Sequence, residues 1–447
     1  MGRAAESGRT TAAGAAVTAL EQREELPPRG LRHSLRAFRH RDYAVFWVGA
    51  ITSNTGGWLS NLTVPFIVYQ VTRSALWVGL VSVFQFVPNI ALGPWGGVLA
   101  DRHDRRRVLL VTQSGMALSA LLLWVVWLVG VREPLIVMAL VGVAGIFQGI
   151  NMPSWQSFVN DLVPRSDLDS AVALNSLQFN AARSLGPAVA GLILATIGPG
   201  WALLLNALSF LAVLVALAAL RVRNRPRTAD PAPVWRQFAT AVGYIRGQPG
   251  IQMGLLVAVA VGLLVNPIFQ FTVVFAGSVF HVGPWTLGLL NAALGVGALV
   301  AAPVLAGWSH ILPRSLLTQV GLIGQAVGLA GFALSPSPGW AASALFVVGW
   351  ALLLTISATN TAVQIIVADR LRGRVLAVRI MAYTGCFPVG GLAQGALADV
   401  FGPRATVLGA GLLLLLLALV LSWWRGPVRM QRLDDPHDGS RPEPVRR

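Results

Sequence analysis

Residues 96–110, GGVLADRHDRRRVLL, set four arginines and the Asp101 carboxylate within seven positions between two apolar runs. A guanidinium group costs about 2.5–3.5 kcal/mol at the centre of a membrane helix, so Arg102, Arg105 and Arg106 pin this turn to a membrane surface. Asp101 can pair with one of them or cap the start of a facing helix. The chemistry on offer is a switchable ion-pair latch. Asp161 and Asp369, each at the end of an apolar run, with Arg372 and Arg374 close to the second, are the expected partners.

A second constellation lies in residues 171–198, AVALNSLQFNAARSLGPAVAGLILATIG. Arg183 sits twelve residues in, about 18 Å along a helix, and is read as the one basic residue well inside an apolar span. An intramembrane arginine is a functional candidate by default. Gly186, Pro187 and Gly191 follow it, predicting a weakened helix at the proline and close approach of a neighbouring backbone at the glycines.

Amides form the third group. Asn54, Trp58 and Asn61 are spaced i, i+4, i+7; Gln85 and Asn89 are i, i+4; Gln148 and Asn151 share a face with Trp155. Asn266 with Gln270 and Asn360 with Gln364 repeat the pattern, and Gln178 lies one turn before Arg183. An unsatisfied amide in hydrocarbon costs several kcal/mol, so these side chains are expected to face protein or water. Two roles stay open for each: hydrogen bonds between helices, or the lining of a cavity for a large, partly polar ligand.

The elements that must position these residues are membrane helices. Hydrophobic residues make up 55% of the 447, charged residues 12%, and mean hydropathy is +0.66. Twelve runs are long enough to span a bilayer: 44–69, 76–99, 108–129, 135–158, 171–197 and 201–221, then 251–275, 285–308, 315–334, 340–367, 375–400 and 405–424. They are continuously apolar instead of alternating, which predicts helices over barrel strands. The fold class is an all-α polytopic membrane protein of two six-helix repeats.

The net charge of +16 comes from arginine alone. The arginines concentrate in the tails and alternate loops, with only Arg73, Arg132 and Arg404 in the opposite loops; this bias places both termini in the cytoplasm. Charge spread over many short loops argues against nucleic-acid binding. The expected organisation is a disordered tail (1–42), a first bundle (43–222), a linker (223–250), a second bundle (251–424) and a disordered tail (425–447). Within the linker, Val234, Phe238, Val242 and Ile245 recur at helical spacing and predict a short amphipathic helix on the membrane surface.

The halves echo each other. Trp77-Val78-Gly79-Leu80 resembles Trp285-Thr286-Leu287-Gly288-Leu289, QSFVND (156–161) matches QIIVAD (364–369), and Gly198-Pro199 matches Gly402-Pro403. Between the second and third spans, Gly97, Asp101, Arg102, Arg105 and Arg106 resemble motif A of the major facilitator superfamily. Asp104 stands where that motif most often has glycine, and the second-half counterpart, residues 303–317, has lost the acid and most of the arginines. The whole pattern, with NDLVPRSDLDSAVALN (160–175) and RSLGPAVAG (183–191), resembles the siderophore and macrolide efflux branch, the transmembrane secretion effectors. Arg183, Gly186, Pro187 and Gly191 resemble a shortened antiporter motif.

The resemblance implies a secondary active exporter of an amphipathic small molecule in the cell membrane, working by alternating access, with protons as the exchange ion and no cofactor. A monomer is expected. An importer or facilitator on the same fold is the alternative, a membrane-embedded enzyme or a non-transporting sensor a more distant one. No Walker A sequence, metal-ligand spacing or nucleophile elbow is present, and the lone cysteine, Cys386, excludes a disulfide framework. No carboxylate or histidine lies centrally in a span, so the residues themselves offer no obvious proton carrier.

Overall fold

The computed structural model describes residues 35–220, 234–308, 311–423, 425–426 and 428–435. The first bundle consists of α1 (Arg41–Thr72), α2 (Ala75–Arg102), α3 (Arg105–Leu128), α4 (Pro134–Asp161), α5 (Leu168–Thr196) and α6 (Pro199–Ala219). A short helix, α7 (Val234–Arg246), precedes the second bundle. That bundle opens with α8 (Pro249–Leu264) and α9 (Ile268–Val274), continued by a π turn (Phe275–Val279). It is completed by α10 (Pro284–Trp308), α11 (Arg314–Ala333), α12 (Pro338–Ile366), α13 (Arg372–Phe401) and α14 (Pro403–Trp423). With α8, α9 and the π turn counted as one interrupted run, the described residues form six long helical runs in each half, in the order expected.

Ten of these runs are long and apolar enough to cross a membrane. The two long helices outside that set are α1 and α5, and each carries a polar stretch: Ser53 to Asn61 in the middle of α1, and most of the first half of α5. Both helices have given up hydropathy for polar side chains, as a helix does when it faces protein or a wet interior instead of lipid.

The run read as one continuous span over 251–275 is broken at Val265–Pro267. Pro267 has no N–H to donate and its ring crowds the preceding turn. The carbonyls of Leu263 and Leu264 are satisfied instead by the Gln394 amide of α13, at 2.8 and 3.2 Å. The Gly-Pro corners matched between the halves share one backbone: Gly198 (φ 84°) and Gly402 (φ 85°) each precede a helix-opening proline, in a region of φ that favours glycine.

Both tails differ from expectation where they meet the bundles. Arg36–Arg39 forms a 3₁₀ turn in which Ala37 is buried and donates its N–H to Ser170 Oγ at 3.1 Å. Phe38 packs edge-on against Trp47. At the other end, Met430–Asp434 forms a second turn with Met430 and Leu433 buried. These apolar anchors sit among charges, and the charge-rich composition concealed them. Residues 1–34 and 436–447 lie outside the described residues, as do residues 221–233, the end of the first bundle and the start of the linker. The linker helix forms as α7, with Ala241 and Ile245 packed on Val363, Ile366, Val367, Leu371 and Val375 of the second bundle. Its Tyr244 hydroxyl accepts the Ala368 N–H at 3.2 Å, so it is docked on protein and does not simply float on a membrane surface.

Candidate functional site

The arginine knot lies at the end of the molecule that carries both tails. Arg105 is buried: Nη1 meets Asp161 Oδ2 at 2.5 Å, Nε donates to the Ala100 carbonyl at 3.2 Å, and Nη2 stands 4.0 Å from Asp101 Oδ1. Arg106 closes the end of α6 by donating to the carbonyls of Leu217 (2.6 Å) and Ala218 (2.8 Å). Asp104, the departure from the motif, caps α3 by accepting the Arg107 N–H at 3.2 Å. Arg102 is exposed, and Gly97 has open space around it. The knot therefore ties α2, α3, α4 and α6 together inside the first bundle. Asp369 is not brought to it; it pairs on an exposed turn with Arg372 of its own bundle. Arg374 is half-buried at the start of α13.

In the half away from the tails, the two bundles meet backbone to backbone. A Cβ on Gly79 of α2 would lie 2.3 Å from the Gly391 carbonyl oxygen of α13, and one on Gly288 of α10 would lie 2.6 Å from Gly191 Cα of α5. Gly79 and Gly288 belong to the sequence stretches matched between the halves, so the two crossings are repeat-related. Small residues permit this approach where no hydrophobic drive separates helix from lipid. Gly186, by contrast, makes room for Trp58 inside the first bundle. Asp399 of α13 adds a polar clasp: its carboxylate accepts the N–H groups of Ala75 (2.7 Å) and Leu76 (3.1 Å) and the Ser74 hydroxyl, capping α2 across the bundle boundary.

Arg183 sits in the middle of α5, half-buried, with its guanidinium carbon 5.4 Å from the ring centroid of Phe269 in α9. It thus reaches from the first bundle to the second. Close by, the Tyr383 hydroxyl donates to the side-chain oxygen Oδ1 of Asn266 at 2.9 Å. Tyr383 lies one turn along α13 from Arg379.

The amides divide. Asn61 and Gln85 pair across α1 and α2 at 2.9 Å, Asn266 binds Tyr383, and Asn360 accepts from Arg379 at 3.1 Å. Asn151 departs from the cavity reading: it is buried and accepts from Thr112 (3.0 Å) and Gln113 (3.3 Å), which makes it a bond between α3 and α4. Gln178 departs too, being buried on the face of α5 that carries Leu174 and Ala182, with neither polar atom partnered among the described residues. Gln270 is buried beside Gly391 at the α2–α13 crossing. Asn54, Trp58, Asn89 and Gln148 are half-buried, and Gln364 is exposed.

A family model described as transmembrane secretion effector matches residues 33–444. The chain belongs to this family of major facilitator transporters. It is 26% identical to the staphyloferrin A transporter of Staphylococcus aureus over 361 residues, covering 78% of this chain and 87% of that protein. It is 25% identical to the enterobactin exporter of Citrobacter koseri over 395 residues, covering 85% and 90%. Its fold matches the crystal structure of a bacterial homologue of the lysosomal transporter Spinster in an inward-facing, unoccupied conformation, with a TM-score of 0.69, 16% identity and coverage of 89% and 98%. The chain is accordingly a multi-pass membrane transporter and not an enzyme.

Several residues of this secretion-effector chain escaped the sequence reading. Arg379 lies in the third turn of α13, 7% exposed, so Arg183 is not the only basic residue well inside a helix. Its position near a span boundary hid it; the signal was its i, i+4 relation to Tyr383. Gln394, Asp399 and Asp434 act through partners more than 100 residues away in sequence, and local spacing carries no trace of that.

Proposed function

We propose that the chain exports an amphipathic small molecule, of the siderophore or macrolide-like class, across the cell membrane by alternating access in exchange for protons. The observation that carries this reading is Arg183, held mid-helix against Phe269 of the opposite bundle, just below the half in which the bundles meet. The arginine bias assigns the tail-bearing end to the cytoplasm. With that orientation the glycine crossings and the Asp399 clasp close the outer side. The name of one relative, an enterobactin exporter, supports export.

In this conformation the Asp101 carboxylate stays half-exposed while Asp161 holds Arg105. Asp101 is then available to a facing helix when the cytoplasmic ends approach. Counterflow in proteoliposomes against a panel of labelled metabolites, with and without an imposed pH gradient, tests the whole reading. Export predicts exchange of at least one amphipathic compound, accelerated by an acidic exterior, and a sharply slower rate in Asp101→Asn at unchanged expression. Transport indifferent to the gradient removes proton exchange, and a wild-type rate in Asp101→Asn reduces motif A to a topology signal.

A further inference from the structure

Among the described residues Arg379 has no acidic partner. Its Nη1 donates to Asn360 Oδ1 (3.1 Å), and its Nη2 to Thr359 Oγ1 (2.8 Å) and the Ile356 carbonyl (3.3 Å). All three acceptors are neutral. Its Nε is buried with no hydrogen-bond partner. Arg183 likewise rests against a neutral group, the ring of Phe269, 5.4 Å from its guanidinium carbon. After position 169 the acidic residues of the sequence are Asp230, Asp369, Asp399 and those from Asp434 onward. Asp369 is committed to Arg372, Asp399 to the cap of α2 and Asp434 to the start of α11. Among the described residues these three carboxylates are thus held elsewhere than at the centre. An unpaired guanidinium buried in a membrane protein is costly, and the cost falls when an anion joins it.

We infer that the centre of the molecule is an anion site, in which Arg183 from the first bundle and Arg379 from the second together bind a carboxylate group of the substrate. This inference rests on the export reading and narrows it to carboxylate-bearing substrates. Asn360 and Thr359 orient Arg379, and Tyr383, one turn along α13 from Arg379, bonds Asn266, which lies one turn before the Phe269 that Arg183 rests on, so one run of contacts links the two cations. Because the two arginines belong to different bundles, one bound anion contacts both halves of the transporter. That is what a substrate needs in order to bias the rocking of one bundle against the other.

The test uses the purified full-length protein and citrate, a small tricarboxylate, with trimethyl citrate as the neutral control. Citrate should raise the thermal unfolding temperature in a saturable, salt-sensitive manner, and the ester should not. Arg183→Gln and Arg379→Gln should each weaken citrate binding by about ten- to a hundredfold, the effect of losing a charge-assisted hydrogen bond. Arg379→Lys, which keeps charge without the fork, should fall between them and the wild type. Equal stabilisation by ester and citrate, or citrate affinity unchanged in the glutamine variants, overturns the inference. If Arg379→Gln lowers the ligand-free unfolding temperature and nothing else, Arg379 is a structural strut and the inference fails. If that variant does not fold, Arg183→Gln decides alone, because its guanidinium holds no helix in place by hydrogen bonds. The two readings fail separately: counterflow confined to neutral or cationic metabolites keeps export and overturns the anion site, whereas citrate binding without transport of any compound keeps the site and overturns export.

Discussion

At the tail-bearing end, the turn between the second and third helices of the first bundle carries its own acids: Asp104 caps α3, and Asp101 lies beside Arg105, which Asp161 binds. The corresponding turn of the second bundle, before α11, has none. There the carboxylate comes from the far end of the chain: Asp434 accepts the N–H groups of Arg314 (2.7 Å) and Ser315 (3.2 Å) and the Ser315 hydroxyl. The same position in the two repeats thus has the same physical need, an acceptor for the unpaired N–H groups at a helix start, met once locally and once by the tail. At the opposite end the repeats behave alike, through the Gly79–Gly391 and Gly288–Gly191 crossings. The difference teaches that symmetry persists where two bundles must slide on each other and lapses where each bundle only has to hold itself together.

The largest expected effect on transport is at the symmetric end. Gly79→Val and Gly288→Val each force a side chain onto a facing backbone that has no flexible atom to yield. Overpacking of this kind costs about 1–3 kcal/mol against the closed arrangement, a shift of about 5- to 150-fold in its population. Transport in proteoliposomes should fall by that order in both variants, with thermal stability of the separate bundles little changed. A harmless substitution at one crossing beside a damaging one at the other breaks the symmetry.

Next comes Asp161→Asn. Arg105 is nearly buried, and removing its partner leaves a charge with Asp101 4.0 Å away as a poor substitute. Loss of one member of a buried pair costs about 3–5 kcal/mol, so the unfolding temperature should drop clearly. Arg105→Met combined with Asp161→Leu should recover much of the loss, because no unpaired charge remains. Failure of that rescue means the pair serves more than the packing of the first bundle.

What the sequence made legible follows the same line. Continuous apolar runs announced the helices, and the oddity of an arginine inside one announced Arg183, because both signals are local. The repeat-matched glycines were visible as letters, though their partners were not: Gly391 and Gly191 are met only after the chain folds back. Periodicity gave Asn151 a polar face without saying which neighbour that face meets, and the neighbour is α3 of its own bundle. The C-terminal tail misled for the opposite reason: its Arg, Pro and Asp content spoke for a solvated chain, while two apolar anchors, Met430 and Leu433, and one well-placed carboxylate hold it to the second bundle.

That tail supplies the third test. Asp434→Ala removes the cap of α11 and should destabilise the protein by about 0.5–2 kcal/mol, read as a lower thermal midpoint in detergent. Truncation after residue 427 removes Met430 and Leu433 as well and should cost more than the point substitution. Installing an acid locally, by Pro313→Asp at the N-cap of α11, should make the second bundle less dependent on the tail, as the first bundle is with Asp104. If the truncation is silent, the tail is not the source of the missing carboxylate.

The smallest effect is expected for Asp369→Asn, the repeat-equivalent of Asp161→Asn. QSFVND and QIIVAD place an aspartate at the same point in each half, so the sequence alone assigns them the same weight. The surroundings do not. Asp369 and Arg372 are an i, i+3 pair with side chains 79% and 46% exposed, against 24% and 10% for Asp161 and Arg105. Water screens the exposed pair and two long side chains lose rotamer freedom to form it, which leaves about 0–1 kcal/mol, commonly the lower part of that range. Asp369→Asn should therefore leave the thermal midpoint within error of the wild type, with any residual effect vanishing as salt is raised. A drop as large as that of Asp161→Asn would mean that Asp369 meets a buried cation in another conformation, and the second bundle would then carry a latch of its own.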